Sequence, residues 1–442
     1  MNSISKNSAI TFSSQILTFI LGFVTSIILA RTLGPKGKGI YALTILIPTV
    51  MFRLGSLGIE EANVYFMGSK KYKIEDIVSN SLLSSIVLGS ILLLLFFSIY
   101  HLSIFQNFLK SNQLNNIYLW IVVLAIPFVL FSGFLEKILV GKEEIIIFNK
   151  INILRTISEL MLIIILLLIF KQGILGAIIA YLLTSIFVTL LVISFIKKYT
   201  KISFSYNRKL LKDTINYGIK AYFSNLFTFL NYRLDMFLVA IFLGPIEVGY
   251  YSMAVGIVEK IWMLPGAIAT VLLPRISSIE NTEADKLTPR VARHTSFIVL
   301  IVSLILAVLA KPLIGILFGD VFLPSVNPLL ILLPGIIALS YPKILCADLA
   351  GRGKPIYSLY AAVISFGVNI PLNLWLIPRW GISGAAFASS VAYILGALIV
   401  ITAFIKISGK SWGDILIIKK IDFQDYKNIL YKIRKKYFKV GS

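Results

Sequence analysis

The chain has very few of the residues on which disulfides, metal clusters and histidine chemistry depend. Its 442 residues include one cysteine, Cys346, and two histidines, His101 and His294. A single thiol excludes an internal disulfide and a multi-cysteine metal site. Two isolated histidines predict neither a metal site nor a catalytic pair, and the sequence lacks a Walker-type glycine loop for nucleotides. We therefore expect a protein that is not an enzyme and that carries no metal or cofactor.

Acidic residues are also scarce, with 20 Asp and Glu against 42 Lys and Arg, a formal net charge of +22. In a soluble protein this excess would suggest nucleic acid as a partner. The chain is, however, 58% hydrophobic and has a mean hydropathy of +0.90, well above the range of soluble proteins. Cytoplasmic loops of membrane proteins accumulate Lys and Arg. The composition therefore predicts a multi-pass membrane protein without a nucleic-acid partner.

Long apolar runs dominate the sequence, and each is close to the length of roughly 20 residues that crosses a bilayer as a helix. They lie at about 9–30, 40–67, 77–100, 117–140, 151–170, 174–196, 217–243, 248–273, 295–318, 327–349, 356–377 and 382–405. We therefore predict an all-α integral membrane protein of about twelve transmembrane helices.

Basic residues are distributed unevenly between the loops. The loops on the side of the N-terminus hold most of them, including Lys197, Lys198 and Lys201, whereas the first opposite loop holds Lys36 and Lys38 with few others beyond it. This asymmetry predicts that both termini are cytoplasmic. We expect the chain to lie in the inner, or plasma, membrane. The basic tail after the last span contains Ile429, Leu430, Ile433 and Tyr437 at helical spacing. The tail either lies on the anionic inner leaflet or is a solvated segment that only fixes orientation.

Two halves of the chain repeat a pattern of glycine and proline. Leu33-Gly34-Pro35 with Gly39 recurs as Leu243-Gly244-Pro245 with Gly249, and Gly173-Ile174 recurs as Gly381-Ile382. The offset covers six spans, so the copies enter the membrane from the same side and form parallel repeats. We predict a six-helix bundle at 1–205, a second at 206–405 and a tail at 406–442. Two such bundles that enclose a cleft favour transport by alternating access.

Several charged and polar residues interrupt the apolar runs. An ionisable group inside a span costs about 2.5–3.5 kcal/mol, so those that remain usually line a cavity or pair internally. We predict a cationic substrate-binding site for an anion such as a phosphate, formed by Arg53, Arg233, Lys260, Arg31, Asn231 and Asp235. The same pattern makes Glu60, Glu61 and Glu159 candidates for coupling to a proton or sodium ion. Alternatively, the charges near the cytoplasmic boundary only extend to the membrane surface, namely those of Glu60, Glu61, Glu259 and Lys260. Arg31 alternatively serves a helix end or a lipid headgroup.

The motifs together resemble a known family. They include Ala30-Arg31-Thr32-Leu33-Gly34-Pro35, Asn231-Tyr232-Arg233-Leu234-Asp235, Gly351-Arg352-Gly353-Lys354-Pro355 and Asn373-Leu374-Trp375-Leu376-Ile377-Pro378. With them the sequence resembles the Wzx-type polysaccharide and O-antigen flippases of the multidrug/oligosaccharidyl-lipid/polysaccharide superfamily, which share the MATE-like fold. The resemblance implies translocation of a polyprenyl-pyrophosphate-linked oligosaccharide through a cationic cavity. It also implies membrane lipids, a polysaccharide polymerase and chain-length proteins as partners.

The sequence is also compatible with other functions. A MATE-like cation-coupled exporter of small molecules is one alternative, although residues 9–29 lack the acidic residue that such exporters usually carry in their first helix. Lipid II flippases usually add two helices, for which the chain has no further span. A membrane-embedded glycosyltransferase would need a sizeable outer loop, and the longest one predicted covers only about 101–116.

Overall fold

The computed structural model describes residues 3–419 and Asp422, and within that part of the chain the regular secondary structure is entirely helical. The α-helices are α1 (Ser3–Gly55), α2 (Ile59–Ser69), α3 (Ile74–Tyr100), α4 (Ser103–Ser111), α5 (Asn116–Leu124), α6 (Ile126–Gly141), α7 (Ile145–Ile163), α8 (Gly173–Ile196), α9 (Arg208–Leu243), α10 (Pro245–Val258), α11 (Met263–Ser277), α12 (Asn281–Phe318), α13 (Val326–Gly351), α14 (Ile356–Ser408) and α15 (Trp412–Leu416). A π-helix at Ile164–Ile169 and 3₁₀ turns at Glu259–Trp262 and Asp320–Ser325 continue neighbouring helices.

Ten helices among the described residues are long and apolar enough to cross a membrane. Two of them, Ile10–Gly55 and Ile356–Ser408, contain 46 and 53 residues, about twice the length that one crossing needs. Each is interrupted by a glycine in a conformation that is not helical, Gly34 at φ 65° and Gly381 at φ 60°. Each therefore provides two crossings, which brings the count to about twelve and confirms the predicted all-α membrane architecture.

The repeated glycine–proline motif has the same backbone conformation in both copies. Gly34 has φ 65° and ψ −179°, and Gly244 has φ 87° and ψ −175°, values that residues with a side chain rarely adopt. The copies also touch each other reciprocally: a Cβ on Gly39 would lie 1.7 Å from the Pro245 carbonyl oxygen, and one on Gly249 would lie 2.0 Å from that of Pro35. A reciprocal contact of this kind requires an approximate two-fold relation between the motifs.

The chain forms two compact units. The first comprises Met1–Ile257, Ala310–Leu330 and Phe366–Ser389, and the second comprises Val258–Leu309, Ile331–Ser365 and Ser390–Ser442. A cluster of buried apolar side chains in the first unit includes Ala62, Phe66, Ile138, Leu139 and Ile196. A corresponding cluster in the second unit includes Ile344, Leu345, Val400, Phe404 and Ile415. The two six-helix bundles drawn from the sequence stay a prediction.

The chain after α14 is attached to the second unit by a buried ion pair. The Nε and Nη2 atoms of Arg293 on α12 donate to the carboxylate of Asp422 at 2.7 and 2.9 Å, and both side chains are less than 10% exposed. This arginine holds the pKa of Asp422 down to about 2. A capping box between Ser411 and Asp414 begins α15. The predicted apolar face of Ile429 and its neighbours lies outside the described residues.

Candidate functional site

Arg53 is the first of the predicted site residues, and it lies in the last turn of α1. Leu57 and Gly58 have positive φ angles of 45° and 75°, and this sharp turn returns α2 so that the Glu60 carboxylate lies 3.6 Å from the Arg53 guanidinium. Glu60 is buried, whereas the Arg53 side chain remains 39% exposed. The guanidinium also lies 6.0 Å from the ring centroid of Phe229 on α9. Arg53 is thus held in place and still accessible to an anion.

Helices α2 and α9 meet along a seam of polar contacts, which we call the α2–α9 seam and define by Glu61 and Tyr65 on α2 and by Tyr217 and Asn225 on α9. The Asn225 amide donates to the Glu61 carboxylate at 2.7 Å. The rings of Tyr65 and Tyr217 stack with 4.3 Å between centroids and 14° between planes. The seam therefore offers carboxylate, amide and aromatic groups beside Arg53.

Further along α9, Asp235 lies in a buried hydrogen-bond network. It is 2% exposed and accepts from the Tyr251 hydroxyl at 2.5 Å and the Ser389 hydroxyl at 3.0 Å. Asn231 is also buried, and it accepts from the Asn369 amide at 3.0 Å through its side-chain oxygen. The network lies inside the helix packing and not on an accessible surface.

Arg233 lies between these two buried residues and is only partly buried itself. It interacts electrostatically with Asp235 although the two side chains leave the helix in different directions. Phe229, whose ring centroid lies 6.0 Å from the Arg53 guanidinium, precedes Arg233 by one turn of α9. Both predicted arginines thus lie in the first unit, Arg53 at the end of α1 and Arg233 on α9.

Glu159, on α7, interacts electrostatically with Lys38 and with the hydroxyls of Tyr41 and Tyr181. The prediction that Lys38 lies in an outer loop is wrong. Pro35 follows Gly34 directly and begins a new helical segment, so Lys38 lies inside α1. Proline at a first helical position is the sequence signal for this helix start.

A second charged group connects α6 and α7 in the same unit. Arg155 on α7 forms a short ion pair with the buried carboxylate of Glu136 on α6. Lys137 interacts electrostatically with both Glu136 and Glu60. Charges of alternating sign therefore run through the first unit from Arg53 to Arg155. Of this group, the sequence predicted Arg53 and Glu60 as site residues and missed Glu136, Lys137 and Arg155. The α1–α2 end of this group and its α6–α7 end are not neighbours in sequence, so the sequence holds no local signal that would join them.

Arg31 contacts the end of a helix. Its Nε donates to the Leu317 carbonyl at 2.8 Å and its Nη2 donates to the Ile316 carbonyl, both in the last turn of α12. Basic side chains commonly satisfy the last carbonyls of a helix in this way. Lys260 lies on the 3₁₀ turn Glu259–Trp262 of the second unit and is exposed. Among the described residues no group of three or more His, Cys, Asp or Glu side chains could hold a metal ion.

Comparison with known proteins decides the family. The model of a family described as "Polysaccharide biosynthesis protein" matches residues 4–280, more than half of the chain. The chain belongs to this family. A model described as "MatE" matches residues 220–375. The family recognised from the sequence motifs is thereby confirmed.

Relatives with assigned roles are transporters and flippases. The chain is 25% identical to the "Putative O-antigen transporter" of Shigella flexneri over 418 residues, which cover 90% of this chain and 97% of that protein. It is 26% identical to a "Probable low-salt glycan biosynthesis flippase" of Haloferax volcanii over 212 residues, which cover 45% of this chain and 44% of the relative. The prediction that the chain is not an enzyme agrees with these relatives.

Solved structures confirm the fold. The lipid II flippase MurJ in an inward closed conformation superposes with a TM-score of 0.74 at 18% identity, covering 91% of this chain and 89% of MurJ. An inward-facing multidrug resistance MATE family transporter superposes with a TM-score of 0.72 at 14% identity, covering 91% of this chain and 98% of the transporter. This member of the polysaccharide biosynthesis protein family therefore has the predicted MATE-like fold.

Proposed function

We propose that this protein is a flippase that moves polyprenyl-pyrophosphate-linked oligosaccharide repeat units from the cytoplasmic to the outer leaflet for surface polysaccharide synthesis. Its family and the names of its relatives support transport of a glycan precursor. A substrate of this kind combines an apolar chain, a pyrophosphate and hydroxyl-rich sugars. A site for it needs a cation for the pyrophosphate and polar or aromatic groups for the sugars.

The position of Arg53 is the observation that carries the proposal. Its guanidinium is oriented by Glu60 and by the Phe229 ring, and more than a third of the side chain is accessible. An arginine fork binds phosphate oxygens in two parallel hydrogen bonds, and its attraction is strong where water is scarce. Arg233 one turn beyond Phe229 supplies a second positive charge. We assign the pyrophosphate to these two arginines.

We further propose that transport proceeds by alternating access and is coupled to a proton or sodium ion. Asp235 is the strongest candidate for the coupling group, because its carboxylate is buried among the hydroxyls of Tyr251 and Ser389. Glu159, Glu60 and Glu61 stay candidates, as does Lys260 for substrate binding. We place the protein in the inner membrane with both termini cytoplasmic, next to a polysaccharide polymerase and chain-length proteins.

Transfer between leaflets of reconstituted vesicles tests the proposal. The probe is undecaprenyl-pyrophosphate-linked N-acetylglucosamine that carries a fluorophore, and the measurement is its loss of fluorescence when a membrane-impermeant reductant reaches the outer leaflet. A lost hydrogen bond to a charged group costs about 1.5–3 kcal/mol. Arg53→Ala and Arg233→Ala should therefore each slow transfer by about ten- to a hundredfold. Arg208→Ala, at an exposed position at the start of α9, is the matched control and should transfer at the wild-type rate.

Two results would contradict the assignment. Wild-type transfer rates in both Arg53→Ala and Arg233→Ala would remove these residues from the site. Vesicles with wild-type protein could also accumulate a cationic dye in response to an ion gradient and leave the lipid-linked sugar in its original leaflet. This result would show an exporter of small molecules and not a flippase.

A further inference from the structure

The stacked tyrosines of the α2–α9 seam are the most exposed aromatic pair beside the proposed anion site. Tyr65 is 46% exposed and Tyr217 is 41% exposed, although each ring covers one face of the other. Both rings also contact Phe66, which is buried in the core of the first unit. The pair therefore packs on the core through Phe66, and the remaining surface of both rings is accessible.

The helix backbones determine where this pair lies. A Cβ on Gly58 would lie 2.2 Å from the Gly218 carbonyl oxygen, so α2 and α9 approach each other here with only backbone between them. Tyr217 precedes Gly218 directly, and Tyr65 lies on the first helix that follows Gly58. The Tyr222 hydroxyl donates to the Leu54 carbonyl at 3.1 Å and links α9 to the last turn of α1, just before Gly58. The aromatic pair is thus part of a rigid contact and not a product of two mobile side chains.

Polar groups that suit sugar hydroxyls border the rings. Glu61 precedes Tyr65 by one helical turn, so both leave α2 on the same face. Tyr217 interacts electrostatically with Glu61, and Asn225 donates to the Glu61 carboxylate. A carboxylate accepts hydrogen bonds, an amide both donates and accepts, and a tyrosine offers an apolar ring with a hydroxyl at its edge. A pyranose needs this combination, since one side of its ring is apolar and its edge carries hydroxyls.

The distance along α2 connects this surface to the arginine. Tyr65 lies five positions after Glu60, which contacts Arg53, and at about 1.5 Å per residue this is a rise of about 7.5 Å along the helix axis. The first sugars attached to a pyrophosphate can bridge such a span. On the predicted topology, the tyrosines lie on the cytoplasmic side of Arg53, where the substrate enters.

From these contacts we infer that Tyr65 and Tyr217, bordered by Glu61 and Asn225, form a glycan-binding subsite for the first sugars of the lipid-linked substrate. The inference rests on the proposed flippase function and adds to it the residues that recognise the sugar. The subsite takes neutral or amide-bearing hexose rings. Lys71, which interacts electrostatically with Tyr65, is paired with Asp213 at 2.7 Å, and the Glu61 carboxylate would repel an anionic sugar. The pyrophosphate binds elsewhere. Binding of the sugar here orients the substrate while its pyrophosphate lies at Arg53.

Equilibrium binding to the full chain in lipid nanodiscs tests the subsite. The two probes are undecaprenyl pyrophosphate and the same carrier bearing a trisaccharide with N-acetylglucosamine next to the pyrophosphate. Wild-type protein should bind the glycosylated carrier more tightly. Tyr65→Ala and Tyr217→Ala should each weaken that binding by about five- to tenfold and leave binding of the bare carrier unchanged. Tyr65→Phe keeps the ring and should retain most of the preference.

The control and the remaining outcomes separate this inference from the proposed function. Tyr206→Ala removes a tyrosine that is 60% exposed outside the seam and should change neither affinity. Equal losses for both probes in Tyr65→Ala, or no loss in either alanine variant, overturn the subsite. Wild-type protein that binds both carriers equally overturns the subsite and leaves the flippase intact. Wild-type protein that binds neither carrier overturns the proposed function itself.

Discussion

Gly58 and Gly218 contact each other backbone to backbone, and this contact holds α2 against α9 beside the proposed site. A Cβ on Gly218 would lie 2.3 Å from the Gly58 carbonyl oxygen, and real Cβ atoms essentially never approach another atom this closely. Gly58 is further restricted because its φ of 75° favours glycine. The two residues are 160 positions apart, and together they position Tyr65, Glu61 and Arg53 relative to α9.

We expect Gly218→Ala to separate α2 from α9 and to lower the thermal unfolding midpoint of the purified protein. An inserted methyl group in a packed contact costs about 1–3 kcal/mol. The matched control is Gly256→Ala, also inside a helix but with open space where the Cβ would lie. It should stabilise by about 0.5–1 kcal/mol through helix propensity alone. Equal midpoints for the two variants would show that the glycine contact is not close in solution.

The buried pair of Arg293 and Asp422 predicts that stability depends on pH. The pKa of Asp422 is about 2 in the folded protein and about 3.9 in an unfolded chain, which corresponds to about 2–3 kcal/mol of folding stability. Because the folded pKa is the lower one, this stabilisation is fully present above about pH 4 and is lost as the pH falls toward 2. Asp422→Asn should therefore unfold more readily than wild type near neutral pH, and the difference should shrink below pH 4.

Chemical denaturation of the two proteins at several pH values measures this difference. Glu283→Ala is the control, since it removes an ion pair with Arg275 in which both side chains are more than half exposed. Such surface pairs contribute about 0–1 kcal/mol. A constant difference between Asp422→Asn and wild type from pH 7 to pH 3 would contradict the ionised pair.

Arg31 tests whether a predicted substrate residue instead serves a helix end. Its guanidinium donates to the last carbonyls of α12, an interaction that contributes about 0.3–1 kcal/mol for an exposed cation. Arg31→Ala should lower the unfolding midpoint slightly, and transfer of the fluorescent lipid-linked sugar per folded molecule should stay at the wild-type rate. If Arg31→Ala slowed transfer tenfold and left the unfolding midpoint unchanged, Arg31 would instead be assigned to substrate binding.

Asp235 is expected to link transport to an ion gradient. Asp235→Asn keeps the size of the side chain and its acceptor oxygen for the Tyr251 hydroxyl, and it removes the negative charge. We expect the variant to lose the stimulation of transfer by an imposed proton or sodium gradient and to keep the rate measured without a gradient. Ser389→Ala removes one hydrogen bond but no charge and serves as the control. Gradient stimulation that persists in Asp235→Asn would exclude this carboxylate as the coupling group.

Some of the site follows from local sequence, and some does not. Arg53, Arg233 and Asp235 are visible because a charge inside an apolar run is costly and therefore conspicuous. Lys38 was predicted in a loop because the glycine and proline before it indicate an interruption of the helix. The sequence does not show that this interruption is confined to one residue, Gly34. Tyr217 and Asn225 carry no signal of their own, since tyrosine and asparagine are ordinary residues near the ends of membrane helices.

The sequence by itself determined that this protein crosses the membrane many times and repeats one glycine–proline motif in its two halves. Hydropathy, glycine conformation and proline geometry act over a few residues, so a linear pattern records them directly. The tertiary structure alone decided that Glu159 interacts electrostatically with Lys38, that Asp235 accepts a hydrogen bond from the Ser389 hydroxyl and that Tyr65 stacks on Tyr217. These pairs join helices distant in the chain, and which side chains meet depends on how whole helices pack.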